Sequence, residues 1–289
     1  MQLINNNFSR YAITLMACLS SACSPIKVLN SLVPENSYEL VSAIKYGANA
    51  RQKLDIYLPK SANKSATFKK VIIFYYGGNW DSGERADYKF AAEALVSHGY
   101  IVVIPDYRVY PEVLFPGFMA DPVSAAKWVK TNINKYNGDA NKVFLAGHSA
   151  GAHLAVMMAI NPEYLIVAKL KPNDFAGVIG LAGPYDFLPL TSERLKVIFG
   201  AEAERWKSQP IHFVDGKNPP LYLAIGTKDN TVWPRNSINL AKKIKEKNGL
   251  VEVHEFAGYG HIDMVAKLAK PLRGNGELLK SVITFIDQH

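Results

Sequence analysis

Ser149, Asp229 and His261 lie far apart in the chain, yet they are the three residue types needed to cut an acyl bond by nucleophilic attack. A serine hydroxyl is a poor nucleophile at neutral pH. It needs a base to take its proton and an acid to orient that base. Ser149 stands in Gly147-His148-Ser149-Ala150-Gly151, between the strand-like run Lys142–Ala146 and the apolar, helix-favouring run Ala152–Ile160. A Gly-x-Ser-x-Gly between strand and helix makes a turn sharp enough to strain the serine, with glycines where side chains would collide. Asp229 follows a second buried-strand run, Leu221–Ile225, in the loop at its C-terminal end, where open parallel sheets place their sites. His261 ends the glycine-rich stretch Ala257-Gly258-Tyr259-Gly260-His261, just past the alternating run Val251–Phe256.

Acyl transfer also requires N–H donors aimed at the oxyanion of the tetrahedral intermediate. The hydrophobic run Val71–Tyr76 leads directly into Gly77-Gly78-Asn79-Trp80. The N–H groups of Gly78 and Asn79, with that of Ala150 behind the nucleophile, are the candidate oxyanion hole, and Gly77 permits the turn. Other residues compete for the roles. His148 and His153 lie near the serine but outside the histidine loop. His98 reads as a solvated helix end and His254 as a structural strand residue, while His212 and His289 have no supporting context. Asp186, after the strand-like run Val178–Leu181, is the alternative acid. Asp263 is too local to His261 to brace its far nitrogen. Asp81–Arg85 could form a polar substrate clamp, but helix capping fits it better.

These residues need a frame. Strands are expected near Lys53–Leu58, Val71–Tyr76, Ile101–Pro105, Lys142–Ala146, Val178–Leu181, Leu221–Ile225 and Val251–Phe256. They alternate with helices at Asp87–Ser97, Asp121–Asn134 (Asp121 as cap, Pro122 at its first position), Ser149–Ile160, Asn236–Asn248 and Gly276–Ile286. Apolar strands covered on both faces by helices imply an α/β architecture with a mostly parallel sheet. Thr191–Pro210, carrying Phe199 and Trp206, is the insertion expected to roof an acyl pocket.

With these blocks in place, the chain resembles the hormone-sensitive-lipase-like and arylformamidase-like branch of the α/β-hydrolases, a group with many small bacterial carboxylesterases. Leu54–Pro59, Asp106-Tyr107-Arg108, Phe115-Pro116-Gly117-Phe118, Asp121, the serine turn, the Asp229 loop and Gly260-His261 carry the likeness, over roughly residues 46 to 286. The group's early loop reads His-Gly-Gly-x-Trp or His-Gly-Gly-Gly, and here Tyr76 replaces the histidine and Asn79 the usual glycine or aromatic. The resemblance implies an α/β-hydrolase fold with a small cap insertion and the chain order Ser, acid, His. It implies a serine hydrolase of carboxylic esters, with Ser149 as nucleophile, His261 as base and Asp229 as its orienting acid. The short roof points to short acyl groups. A formamide-cleaving amidase and a silent binding protein of the same fold remain as alternatives. No metal or organic cofactor is implied.

Composition fits this frame. The chain has 289 residues, 48% of them hydrophobic and 20% charged, with no internal repeat or low-complexity tract. Its net charge of +8 is dispersed, without a basic block or nucleic-acid motif, so no nucleic-acid partner is expected. The partners expected are a small ester and, through a lipid anchor only, a membrane; the oligomeric state is open. The N-terminus sets the compartment. Arg10 precedes the apolar run Tyr11–Leu19, too short to span a bilayer, then Ser20-Ser21-Ala22 before Cys23. This is similar to a bacterial lipoprotein signal, with Cys23 lipidated and the protein held on the periplasmic side. Cys18 is a second candidate, and a plain secretory signal cut after Ala22 is the alternative. The expected division is residues 1–22 as signal, 23–45 as tether and 46–289 as catalytic domain. Both cysteines fall in the N-terminal segment, which excludes a cysteine nucleophile, a disulfide core or a cysteine-ligated zinc in the catalytic domain.

Overall fold

The computed structural model describes residues 25–34, 36–60 and 67–289. The leader, Cys18 and Cys23 lie outside the described residues. One eight-stranded sheet, in the order β1-β2-β4-β3-β5-β6-β7-β8, organises the rest. Its strands are β1 Tyr38–Lys45, β2 Lys53–Pro59, β3 Lys69–Tyr75, β4 Ile101–Pro105, β5 Gly138–His148, β6 Gly177–Leu181, β7 Leu221–Gly226 and β8 Val251–Phe256. β1 and β2 pair antiparallel with their neighbours, and everything from β4 to β8 is parallel. The expected mostly parallel sheet is therefore present, and all its parallel strands end on one side.

Burial explains the sequence pattern. β4, β6 and β7 are buried along their whole length, so they read as continuous apolar runs. The helix Ala150–Ile160 behind the serine is buried at every residue and carries no polar face. The helices Arg235–Glu246 and Glu277–Gln288 each bury one stripe, with Leu240 and Ile244 in the first and Leu278, Val282 and Phe285 in the second. Among the described residues, no helix is long and apolar enough to cross a membrane.

Two expectations need correction. The fold starts earlier than residue 46, because β1 pairs with β2 from Tyr38↔Pro59 to Lys45↔Lys53, and Val33 is already in the core. β1 is an edge strand whose only buried residue is Tyr38, so it lacks the alternation that would reveal it. The second concerns Asp121, which does not cap its helix, since that helix begins at Ala120. Its fully buried carboxylate instead accepts hydrogen bonds from Arg108 N (2.8 Å), Nε (2.8 Å) and Nη2 (2.7 Å), and from Gln52 Nε2 (2.7 Å). A buried carboxylate has to be paired, and Arg108 and Gln52 satisfy it. These bonds tie the loops after β4 and before β2 to the helix beneath them.

Candidate active site

β5 ends in the strained turn its sequence predicts. Ser149 has φ 56° and ψ −123°, an unusual conformation for a residue with a side chain. The flanking glycines show why the turn tolerates no substitution. A Cβ on Gly147 would lie 2.4 Å from the Gly151 backbone, and one on Gly151 would lie 2.0 Å from the Tyr75 carbonyl oxygen. The helix therefore starts hard against β3, and the Ser149 N–H is held by Leu181 O at 2.9 Å.

The loops after β7 and β8 bring the other two residues to this serine. Ser149 Oγ is 2.9 Å from His261 Nε2, and His261 Nδ1 is 2.8 Å from Asp229 Oδ2. A carboxylate can only accept, so the ring proton sits on Nδ1 and Nε2 is free to accept the serine hydroxyl proton. Asp229 is itself fixed, because Oδ1 accepts from Thr231 N (2.9 Å) and Val232 N (2.8 Å). Burial alone would raise its pKa, but the bonds from His261 and the two backbone N–H groups outweigh that and hold it below the ordinary carboxylate value. The arrangement can deprotonate a serine and carry the resulting charge on an imidazole.

The loop after β3 is strained in turn, with positive φ at Gly78 (133°), Asn79 (51°) and Trp80 (59°). Its Gly77, Gly78 and Asn79 line one cavity of about 480 Å³ with Ser149 and His261. Gly77 cannot serve as a donor there, because its N–H is held by Tyr88 Oη at 3.0 Å. Gly78 and Asn79, two of the expected donors, line the cavity beside Ser149. Tyr76, which replaces the group's histidine, supports the loop from below. Its hydroxyl accepts from Arg51 Nη2 at 3.0 Å, and its ring stacks on Tyr107 at 4.4 Å. A larger hollow of about 610 Å³ under the roof, lined by Phe115, Asn161, Phe199 and Trp206, contains none of the three reactive side chains. Geometry, not size, marks the site.

The rivals fall elsewhere. Asp186 accepts from Asn239 Nδ2 at 2.6 Å and has no contact with His261. Asp263 accepts from Gly260 N at 2.8 Å, bracing the histidine loop through its backbone. His254 bonds to Glu252 and Ser281 and stacks on Tyr222 of the neighbouring strand β7, with ring centroids 4.5 Å apart. His153 is buried among aromatic rings, with Nδ1 accepting from Trp80 Nε1 (3.3 Å) and Nε2 donating to Ser208 O (2.7 Å). Burial pushes its pKa down to about 4, so it stays neutral and pins the roof to the Gly-Gly loop. Phe187 and Phe199 pack on Trp80 with ring centroids 5.7 and 4.8 Å away, filling the space beside that loop. Asp81–Arg85 does not cap the helix, and its Ser82 and Gly83 line the cavity that holds Ser149 and His261. Glu84 at the cap position makes no side-chain bond to the helix, Arg85 pairs with Asp55 and Asp106, and Asp81 pairs with Arg194 of the roof.

Sequence reasoning missed one contributor, Tyr88. It stands in a short turn of helix, and nothing in the local pattern shows that its hydroxyl reaches the Gly-Gly loop.

Known proteins share this frame. The BD-FAE family model matches residues 54–244. An isoprenylcysteine alpha-carbonyl methylesterase of Arabidopsis thaliana is 26% identical over 86% of the chain and 62% of its own length. A kynurenine formamidase of Salmo salar is 26% identical over 78% of the chain and 76% of its own. The chain spans between 55% and 63% of the length of three Arabidopsis methylesterases it matches. The solved structure of a truncated carbohydrate esterase from gut microbiota superposes with a TM-score of 0.74, at 22% identity, over 88% of the chain and 98% of that protein. The fold is that of the α/β-hydrolases.

Proposed function

The chain belongs to the BD-FAE family, and on that premise we propose that it is a carboxylesterase-type serine hydrolase working through Ser149, His261 and Asp229. The observation that carries the reading is the pair of hydrogen bonds on opposite nitrogens of one imidazole, 2.9 Å to Ser149 and 2.8 Å to Asp229. Ser149 Oγ attacks the acyl carbon as its proton passes to His261 Nε2. The oxyanion accepts hydrogen bonds from the N–H groups of Gly78, Asn79 and Ala150. Collapse of the intermediate breaks the ester C–O bond, and His261 returns the proton to the departing alkoxide. Water then repeats the sequence on the acyl-enzyme and frees the acid and Ser149.

Short acyl groups fit best. The mutual packing of the Trp80, Phe187 and Phe199 rings beside the Gly-Gly loop supports that reading. Formamide cleavage is the second reading, favoured by the kynurenine formamidase relative, and the same donors would serve a formyl carbonyl. The catalytic domain is proposed to work outside the cytoplasm, attached through a lipidated Cys23. The sequence of Arg10, an apolar run, small residues and a cysteine supports that location. Turnover of p-nitrophenyl acetate, p-nitrophenyl decanoate and N-formylkynurenine by the purified chain tests the assignment. Fastest turnover of the acetyl ester is expected. Exclusive turnover of the formamide would replace the ester reading, and silence on all three in a folded protein would remove it.

A further inference from the structure

A chain of three hydrogen bonds crosses the site without touching the reacting atoms. Gly77 N donates to Tyr88 Oη at 3.0 Å, Tyr88 Oη lies 3.4 Å from His148 Nδ1, and His148 Nε2 lies 3.1 Å from the His261 carbonyl oxygen. Its polarity is forced at both ends. A backbone N–H can only donate and a carbonyl can only accept, so the His148 proton sits on Nε2 and its Nδ1 is left to accept the tyrosine proton. Both side chains are buried, with Tyr88 5% and His148 3% exposed. Both line the wall of the site cavity, where the low exposure of each side chain lets one link polarise the next.

The two ends matter. Gly77 begins the loop that carries the Gly78 and Asn79 donors, and the His261 carbonyl belongs to the residue read as the base. We propose that Tyr88 and His148 are positioning residues that lock the oxyanion loop and the base loop to each other across the serine turn. The inference rests on the catalytic reading of Ser149, His261 and Asp229. Donors and base come from loops after different strands, β3 and β8, and neither strand pairs with the other. Three strands separate them in the sheet, and His148, at the end of β5, bridges the two loops with Tyr88. The His148 ring also lies 4.8 Å from the His261 ring. Burial, and then the neighbouring His261, push the His148 pKa down to about 3, so it stays neutral beside the imidazolium that forms during turnover.

Four variants and one spectrum test this. Tyr88→Phe removes the middle hydroxyl, His148→Leu removes both ring nitrogens, and the double variant removes the relay. His148→Gln places an amide donor where Nε2 was. Each single loss should lower kcat for p-nitrophenyl acetate about 10- to 100-fold at nearly constant KM, as expected for small misplacement of reacting groups. The double variant should be no worse than the poorer single one, because the two act as a unit. His148→Gln should recover part of the loss. A ¹H–¹⁵N correlation on the wild type and on Ser149→Ala should show His148 protonated at Nε2 in both. Losses that multiply, an unchanged kcat in either single variant, or an Nδ1 proton on His148 would each overturn the relay. If Ser149→Ala abolishes turnover while the relay variants stay at wild-type rates, the relay falls and the catalytic reading stands. A fully active Ser149→Ala protein overturns both.

Discussion

Replacing Asp229 with asparagine changes a single atom, and the structure dictates how that atom is misused. The side-chain oxygen Oδ1 accepts from Thr231 N and Val232 N, and Oδ2 accepts from His261 Nδ1. An asparagine has one oxygen for these two faces. Oriented to keep both backbone bonds, it turns its NH₂ toward His261 Nδ1, which can then only accept. The ring proton moves to Nε2 and faces Ser149, where no proton can be taken up. The flipped amide restores the working tautomer but turns its NH₂ against the part-buried N–H groups of Thr231 and Val232, at up to about 1–3 kcal/mol each. The competent form is thus disfavoured by up to about 2–6 kcal/mol, or roughly 30- to 20,000-fold, since ~1.4 kcal/mol is a factor of ten. Loss of the carboxylate charge opposite the imidazolium adds to this. Asp229→Asn should therefore lower kcat for p-nitrophenyl acetate about 10³- to 10⁴-fold while KM and thermal midpoint change little. Asp186→Asn, which disturbs only a bond to Asn239, should stay within about threefold. The reasoning is refuted if Asp229→Asn keeps a tenth of wild-type kcat, or if Asp186→Asn is the more damaging of the two.

Ser149→Ala should abolish ester hydrolysis with an unchanged circular dichroism spectrum, and an organophosphate should label the wild type at Ser149; labelling elsewhere would move the nucleophile. Gly151→Ala should destabilise the fold by about 3 kcal/mol or leave it insoluble, because its Cβ would meet the Tyr75 carbonyl at 2.0 Å; a chemical denaturation curve at wild-type midpoint would contradict this packing. The Asp121 pKa lies below its usual 3.8: burial raises it, but Arg108 and Gln52 lower it further. Its contribution to stability is then complete above that ordinary value and fades as pH falls through the folded one. Asp121→Asn should cost about 1–3 kcal/mol at pH 7 and flatten the loss of stability below pH ~4, which urea melts at several pH values would measure. Radioactive palmitate should label the wild type and not Cys23→Ala; label that disappears only with Cys18→Ala would move the anchor.

Much of the site was legible because strand ends and glycine turns write themselves locally. The serine turn needs glycine at Gly147 and Gly151 for steric reasons that act within five residues, and a parallel sheet puts every loop after a buried apolar run on one side. Ser149, Asp229 and His261 could therefore be named from neighbours in sequence. β1 could not, since an exposed edge strand satisfies its backbone on one side only and needs no apolar period. Partners chosen over long separations were equally invisible. Asp121 looks like a helix cap until Arg108 folds onto it, and His153 looks like a spare base until Trp80 and the Ser208 carbonyl occupy both its nitrogens. Tyr88 gives no sign of its bond to Gly77, because a hydroxyl on a short helical turn is compatible with solvent or core alike. The sequence determined which groups could react and on which loops they stand. Only tertiary packing decided which acid faces His261 and how the Gly-Gly loop is held, because those depend on side chains meeting across strands far apart in the chain.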